Sequence, residues 1–225
     1  MELVSIKNNN TSTIVYNAIL QFLFSVLILF ILFVSFFGLS RVEGASMYPT
    51  LKDGEHMLVS RHSASLVQRG NIVTLNAPNI NPPLTQIDPD TGEEVPVRFL
   101  VKRVAALPGD TIKFEMGPIT PNGTSVHFYL KERGTDRFIL QNDICSFSAN
   151  MTYNGHRFTF INRGDNGFGK EIVVPPNSIF VMGDNRDRSH DSRYYGFQAI
   201  RDITGRQTLL LKQGGFFERL LLFIY

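Results

Sequence analysis

Gly183-Asp184-Asn185-Arg186-Asp187-Arg188-Ser189-His190-Asp191-Ser192-Arg193-Tyr194-Tyr195-Gly196 sets three aspartates against three arginines between two glycines. Opposite charges at this density point to ion pairing within a rigid loop. The run just before it, Ile179-Phe180-Val181-Met182, is wholly apolar and reads as a buried strand that delivers the chain into the loop. A calcium loop is the competing reading, since Asp187-x-Ser189-x-Asp191 begins like an EF-hand ligand series. Against it, Ser192 stands where such a loop needs glycine, no glutamate occupies the twelfth position, and arginines crowd the site.

Outward from this stretch the chain is written in the same β idiom. Met57-Leu58-Val59 and Ile72-Val73-Thr74-Leu75 are short β-branched and aliphatic runs, with Arg69-Gly70-Asn71 as a turn between elements. Val97 to Phe114 has strand character on both sides of Leu107-Pro108-Gly109-Asp110, a tight-turn sequence. Asn79 to Pro96 is rich in Pro, Asn, Asp and Gly and reads as an exposed loop. Glu115 to Pro176 has little helical periodicity and suggests an inserted β-subdomain. With 18 glycines and 11 prolines scattered along 225 residues, turns between strands are favoured over a helical bundle. The net charge of +2, without a long run of one sign, gives no reason to expect a nucleic-acid partner. The single cysteine, Cys145, excludes an internal disulfide and reads as a small apolar residue. One cysteine and no histidine pair at ligand spacing also speak against a zinc site, so no metal is expected.

No charge interrupts the chain between Lys7 and Arg41. Within that gap Ala18 to Leu39 is 22 residues of Leu, Ile, Phe and Val, with Gln21, Ser25 and Ser35 as its polar interruptions. As a helix it would span about 33 Å, enough to cross a hydrocarbon core of about 30 Å. A cleaved signal peptide would have a shorter apolar region, a basic head and a small-x-small exit. Here the exit reads Phe36-Phe37-Gly38-Leu39-Ser40, and a retained anchor is expected. Lys7 and Arg41 nearly balance, so charge does not orient the span. Phe216 to Tyr225 is mostly apolar but too short to cross; it is an interfacial anchor or a last element packed on the core.

Two further segments carry candidate chemistry. Gly44-Ala45-Ser46-Met47-Tyr48-Pro49-Thr50-Leu51 holds a serine in a turn, where most serines cap or solvate. Val101-Lys102-Arg103-Val104 flanks a lysine with apolar residues. Such a lysine either snorkels to the surface or points inward, where an ammonium is costly.

In this order, behind an N-terminal span, the segments resemble the bacterial type I signal peptidases. Ser46-Met47-Tyr48-Pro49 is similar to that family's nucleophile box and Arg69-Gly70-Asn71-Ile72-Val73 to its second box. Lys102-Arg103 through Gly109-Asp110 resembles the lysine box, and Gly183 to Arg193 the last one. The resemblance implies a mostly β fold: an antiparallel catalytic core with an inserted β-subdomain, preceded by one transmembrane helix. The implied division is 1–40 for the tail and anchor, 41–114 and 177–225 for the two parts of the core, and 115–176 for the insertion. It implies a serine endopeptidase that removes signal peptides from exported preproteins after a small-x-small site. Ser46 would be the nucleophile and Lys102 the general base. Ser189 would orient the lysine amine, and Asp191 with Arg193 would hold the loop. Met47, Leu51, Leu100 and Val101 would wall the substrate pockets. The Ser46 N–H would supply one oxyanion donor. Gly44 stands where many members have a serine that gives a second, which leaves that donor unassigned; Ala106 and Asn71 replace a frequent glycine and aspartate. No cofactor is implied. The expected setting is the bacterial inner (cytoplasmic) membrane, a single pass in contact with phospholipid, a monomer, and a catalytic domain on the extracytoplasmic side. The rivals are self-cleaving repressors, against which the span argues, a mitochondrial inner-membrane processing peptidase of the same chemistry, and a tethered non-enzymatic β-domain that keeps the boxes for folding alone.

Overall fold

A computed structural model describes residues 2–61, 66–78, 83–87, 91–120, 123–141, 145–147, 152–153, 156–157, 167–211, 214–215 and 220–221. The chain divides into two compact units, Met1–Gly38 and Leu39–Tyr225. The first is one helix, α1 (Glu2–Phe36), whose 25 residues from Ser12 to Phe36 are long and apolar enough to cross a membrane. Large apolar side chains such as Phe22, Phe24 and Leu29 are exposed along it, as suits a helix surrounded by lipid. Its serines are absorbed locally. Ser25 Oγ and Ser35 Oγ donate to the carbonyls of Gln21 and Ile31, one turn back, at 2.8 and 2.7 Å. The helix ends at Phe36 rather than at Leu39. Gly38 is a poor helix former, and the chain continues as a strand over Phe37–Arg41.

The second unit is built on a seven-stranded sheet. Its spatial order is β1 (Phe37–Arg41), β2 (His56–Ser60), β16 (Ile203–Leu211), β3 (Ile72–Asn76), β6 (Phe99–Ala106), β14 (Ser178–Met182) and β15 (Gln198–Ala199). The pairs from β2 through β15 are antiparallel. Alternation along the strands divides the core between two faces. Ile72 and Val59 join Val42, Met47, Leu51 and Met57 in one cluster. Val73, Leu75, Val104, Ile179, Val181 and Ile203 form another.

A second sheet runs β10 (Cys145–Phe147), β8 (Gly123–Lys131), β7 (Thr111–Thr120) and β13 (Glu171–Val173), with β9 (Ile139–Leu140) also on β8. Phe114 and Phe128 from this sheet meet Phe180 of β14 at ring-centre distances of 5.9 and 6.5 Å, so one aromatic cluster seals the two sheets together. A small ribbon pairs β11 (Thr152–Tyr153) with β12 (His156–Arg157). The side chain of Cys145 and most of the apolar tail 216–225 lie outside the described residues.

Two sequence expectations change. Asn79 to Pro96 is not simply loop, because β4 (Thr85–Ile87) pairs antiparallel with β5 (Glu94–Pro96). The ribbon extends the β3–β6 hairpin through Ala77 N–H to Arg98 and Val97 N–H to Leu84, both at 2.8 Å, contacts that a Pro- and Asp-rich composition does not reveal. The charged loop after β14 also contains a single helical turn, α2 (Ser192–Tyr195), capped by the Asp191 side chain, which accepts from the N–H of Arg193.

Asp110 ties the sheets at the β6–β7 turn, where Gly109 takes φ +85°. Its carboxylate is 1% exposed and accepts from Arg69 Nε at 2.8 Å, Arg69 Nη2 at 3.2 Å, Leu107 N–H at 2.8 Å and Arg133 N–H at 2.9 Å. These donors come from before β3, from within the turn and from just after β8. Asp110→Asn keeps the shape but removes the charge and replaces one acceptor with a donor. Denaturant unfolding is expected to show a loss of about 2 kcal/mol. A change below about 0.5 kcal/mol, the range of ordinary surface substitutions, would mean that this junction does not hold the sheets.

Candidate active site

Lys102 lies within β6, opposite Val73 of β3, and its side chain is 3% exposed. The strand is held on both sides, by β3 and β14. The Lys102 Nζ lies 2.8 Å from Ser46 Oγ. Ser46 sits in the turn after β1. There Gly44, at φ +79°, donates its N–H to Asp53 Oδ1 at 2.8 Å, and Leu51 N–H returns to Met47 O at 3.0 Å. Met47 and Leu51 are 1% and 0% exposed, and they pin this turn in the core while Ser46 stays only partly covered.

Burial holds the Lys102 amine down at about 8, against an ordinary 10.5; Asp191 pulls it upward and Arg193 pushes it down. The two charges near the amine therefore oppose one another, and desolvation decides the result. Asp191 and Arg193 are themselves 0% and 1% exposed. They pair through Nε–Oδ1 at 2.8 Å and Nη2–Oδ2 at 2.9 Å. Burial alone would raise the Asp191 pKa, but the Arg193 guanidinium and the Gly183 N–H, 3.0 Å from Oδ2, hold it below the ordinary carboxylate value.

The charged loop is bound to the Ser46 turn and to Arg103, the neighbour of Lys102. Arg103, next to Lys102, reaches Asp184 Oδ1 through Nε at 2.7 Å and the Gly70 carbonyl through Nη1 at 2.6 Å. Asn185 donates its N–H to Ser46 O at 3.0 Å and its Nδ2 to Ala45 O at 2.9 Å. Gly183 packs so closely that a Cβ there would collide with the Ser46 carbonyl oxygen and with Ser189 Oγ. Ser192 Oγ accepts from Val181 N–H at 3.0 Å, fastening α2 to β14.

Sequence-predicted residues thus fall into three groups. Ser46 and Lys102 meet directly. Ser189, Asp191 and Arg193 are buried together in the loop. The Ser189 hydroxyl lies against Asp191 without the alignment of a full bond, and no hydrogen bond joins it to Lys102. The four pocket candidates separate. Met47 and Leu51 are closed in the core with Val101 packed against them, whereas half-buried Leu100 packs in the other cluster. Arg103, Asp184 and Asn185 were not singled out from the sequence. They sit inside the quoted motifs, but a motif does not say which neighbour bonds to what. Among the described residues no group of three or more His, Cys, Asp and Glu side chains stands at metal-binding spacing.

The chain fits the family model described as signal peptidase, peptidase S26, over residues 15–211. The chain belongs to that family. It is similar to signal peptidase I of Streptococcus pneumoniae serotype 4 (strain ATCC BAA-334 / TIGR4), at 31% identity over 204 residues, covering 79% of this chain and 87% of that protein. Signal peptidase I U of Bacillus subtilis (strain 168) is 30% identical over 208 residues, 91% of this chain and 89% of that protein. Signal peptidase I of Aquifex aeolicus (strain VF5) is 26% identical over 206 residues, 77% of this chain and 75% of that protein. The family expected from the boxes and the mostly β, antiparallel fold expected with it are both found. As a member of this signal peptidase family the chain is a peptidase, and the apolar span Ser12–Phe36 is consistent with a membrane anchor.

A signal peptidase scaffold that depresses a lysine is destabilised by it whenever that lysine is protonated. The displacement from 10.5 to about 8 corresponds to roughly 3 kcal/mol. The folded state binds this proton more weakly than the unfolded state, so the cost is complete below about pH 8 and fades as pH rises toward 10.5. Lys102→Met, similar in length and apolar, is expected to gain about 1–3 kcal/mol at pH 7 in denaturant unfolding, with the gain shrinking above pH 8. Equal stability of the two proteins at pH 7 and pH 10 would contradict a depressed amine.

Proposed function

We propose that this chain is a membrane-anchored serine endopeptidase that removes signal peptides from exported preproteins, with Ser46 as nucleophile and Lys102 as general base. Family membership supports the substrate class. The observation that carries the mechanism is the 2.8 Å contact between Ser46 Oγ and a buried amine whose pKa is about 8. At pH 7 about one such amine in ten is neutral, against about one in 2,500 for an unperturbed lysine.

The neutral Nζ takes the Ser46 proton as Oγ attacks the scissile carbonyl, and the Ser46 N–H donates to the oxyanion that forms. The resulting ammonium returns its proton to the departing amine. Lys102, neutral again, then accepts a proton from water as that water attacks the acyl-serine ester, and passes it to Ser46 Oγ as the ester C–O bond breaks, which frees the carboxyl product and restores the serine. Ser189, buried in the same loop, is the residue that the family's pattern assigns to orienting the amine. Asp191 and Arg193 keep the loop in place without touching the reacting atoms.

Half-buried Val101, packed in the same cluster as Met47 and Leu51, is the wall residue best placed to meet a substrate, whereas Leu100 packs in the other cluster. Met47 and Leu51 limit depth from behind, so that alanine-sized side chains fit after a small-x-small pattern. The α1 span confines enzyme and signal peptide to one membrane and raises their effective concentration. The reading places one pass in a bacterial inner membrane, in contact with phospholipid, with a monomeric catalytic unit outside the cytoplasm. A tethered non-enzymatic domain gives no account of a lysine held at such cost within reach of a serine.

Cleavage of a purified preprotein in detergent–phospholipid mixtures, with Ser46→Ala and Lys102→Ala beside the parent, tests the mechanism. Cleavage after a small-x-small site is expected from the parent, and at least a 1,000-fold lower rate from each folded variant. The parent's kcat/KM should rise with pH through a group of pKa about 8, because the base works in its neutral form. Variants as fast as the parent would overturn the assignment.

A further inference from the structure

The Ala45 carbonyl and the Ser46 N–H belong to one trans peptide plane, so they point in opposite directions. Whatever fixes that carbonyl therefore also aims that N–H. Two donors fix it: Asn185 Nδ2 at 2.9 Å and Tyr48 N–H at 3.2 Å. The next carbonyl, that of Ser46 itself, accepts the Asn185 N–H at 3.0 Å, and Gly183 presses against the same oxygen. One residue thus grips the peptide groups on both sides of the Ser46 Cα. The Asn185 carboxamide reaches across 140 residues of sequence to make this contact, from a loop itself held by the buried Asp191–Arg193 pair. Hydrogen bonding to a peptide carbonyl also polarises its N–H and makes it a better donor. Gly44 has no side chain with which to supply an oxyanion donor.

We propose that Asn185 is a positioning residue for the oxyanion site: its carboxamide sets the Ala45–Ser46 peptide so that the Ser46 N–H meets the developing negative charge. The inference rests on the reading of Ser46 as nucleophile and adds to it a specific source of preorganisation. Losing an oxyanion donor outright costs about 100- to 1,000-fold in rate; loosening one that remains in place is expected to cost roughly 10- to 100-fold. Because the interaction matters only as charge develops, substrate binding before reaction should not register its loss.

The experiment compares full-length Asn185→Ala and Asn185→Asp with the parent in the preprotein assay. The aspartate variant keeps the side chain's shape but cannot donate. Each protein is also titrated with a peptide aldehyde ending in alanine, which forms a tetrahedral adduct, and with the corresponding uncleavable peptide. The expected result is a 10- to 100-fold lower kcat, KM within about twofold, an unmoved pH limb near 8, and aldehyde affinity falling in step with kcat/KM while peptide affinity holds. A kcat within about twofold of the parent would overturn the inference. So would a loss shared equally by peptide and aldehyde, or one accompanied by a moved pH limb, because either describes a general loosening. Should the alanine variant fail to fold, the isosteric aspartate variant decides. Ser46→Ala in the same assay separates the two levels: if it still cuts, the nucleophile reading fails and this inference with it; if it is inert while Asn185→Asp is fully active, only this inference fails.

Discussion

The buried pair between Asp191 and Arg193 is the interaction on which the rest of the site depends. Two full charges are removed from water, which is tolerated only because each finds a bidentate partner and further hydrogen bonds. Asp191 takes the Gly183 N–H and caps α2, while Arg193 reaches back to the Ser189 carbonyl. The pair therefore shapes both ends of the loop that leaves β14. It also has an electrostatic consequence. An isolated aspartate near Lys102 would favour the ammonium; with Arg193 beside it the opposing influence is present too, and burial prevails.

A lysine kept below its ordinary pKa weakens the fold that keeps it, so the surroundings must be firm enough to forbid escape to solvent. The centre of an antiparallel sheet meets that demand better than a loop, since β6 is hydrogen-bonded along both edges. The serine faces a different demand. It must remain partly open, and it stands on a turn whose neighbours Met47 and Leu51 are sunk in the core. Rigid backbone beneath and an accessible hydroxyl above describe the same few residues.

Several of the contacts that bring the two halves together end on main-chain carbonyls. Asn185 and Gly183 engage carbonyls of the serine turn, and Arg103 joins the lysine strand to Asp184 and Gly70. Here sequence reading reaches its limit. The motif around Asp191 was legible because charge density and order are properties of the chain. Asn185 was not, because its partners, the Ala45 and Ser46 carbonyls, lie in a distant part of the chain and are backbone atoms that any residue would carry. The ribbon between Thr85 and Pro96 was hidden for a related reason: its pairing continues a hairpin, and its composition reads as loop.

By itself the sequence determined the apolar span, the strand-and-turn idiom, the family and the serine and lysine to watch, since these follow from composition, local periodicity and ordered motifs. Its estimate of where the span ends ran past Phe36, because only pairing in space tells a helix end from a strand start. It grouped Leu100 with Val101, although strand alternation in the folded sheet sends them to different clusters. The tertiary structure alone decided that Lys102 is buried and within 2.8 Å of Ser46. Both depend on distances between segments far apart in the chain, and so does the desolvation that lowers the amine's pKa.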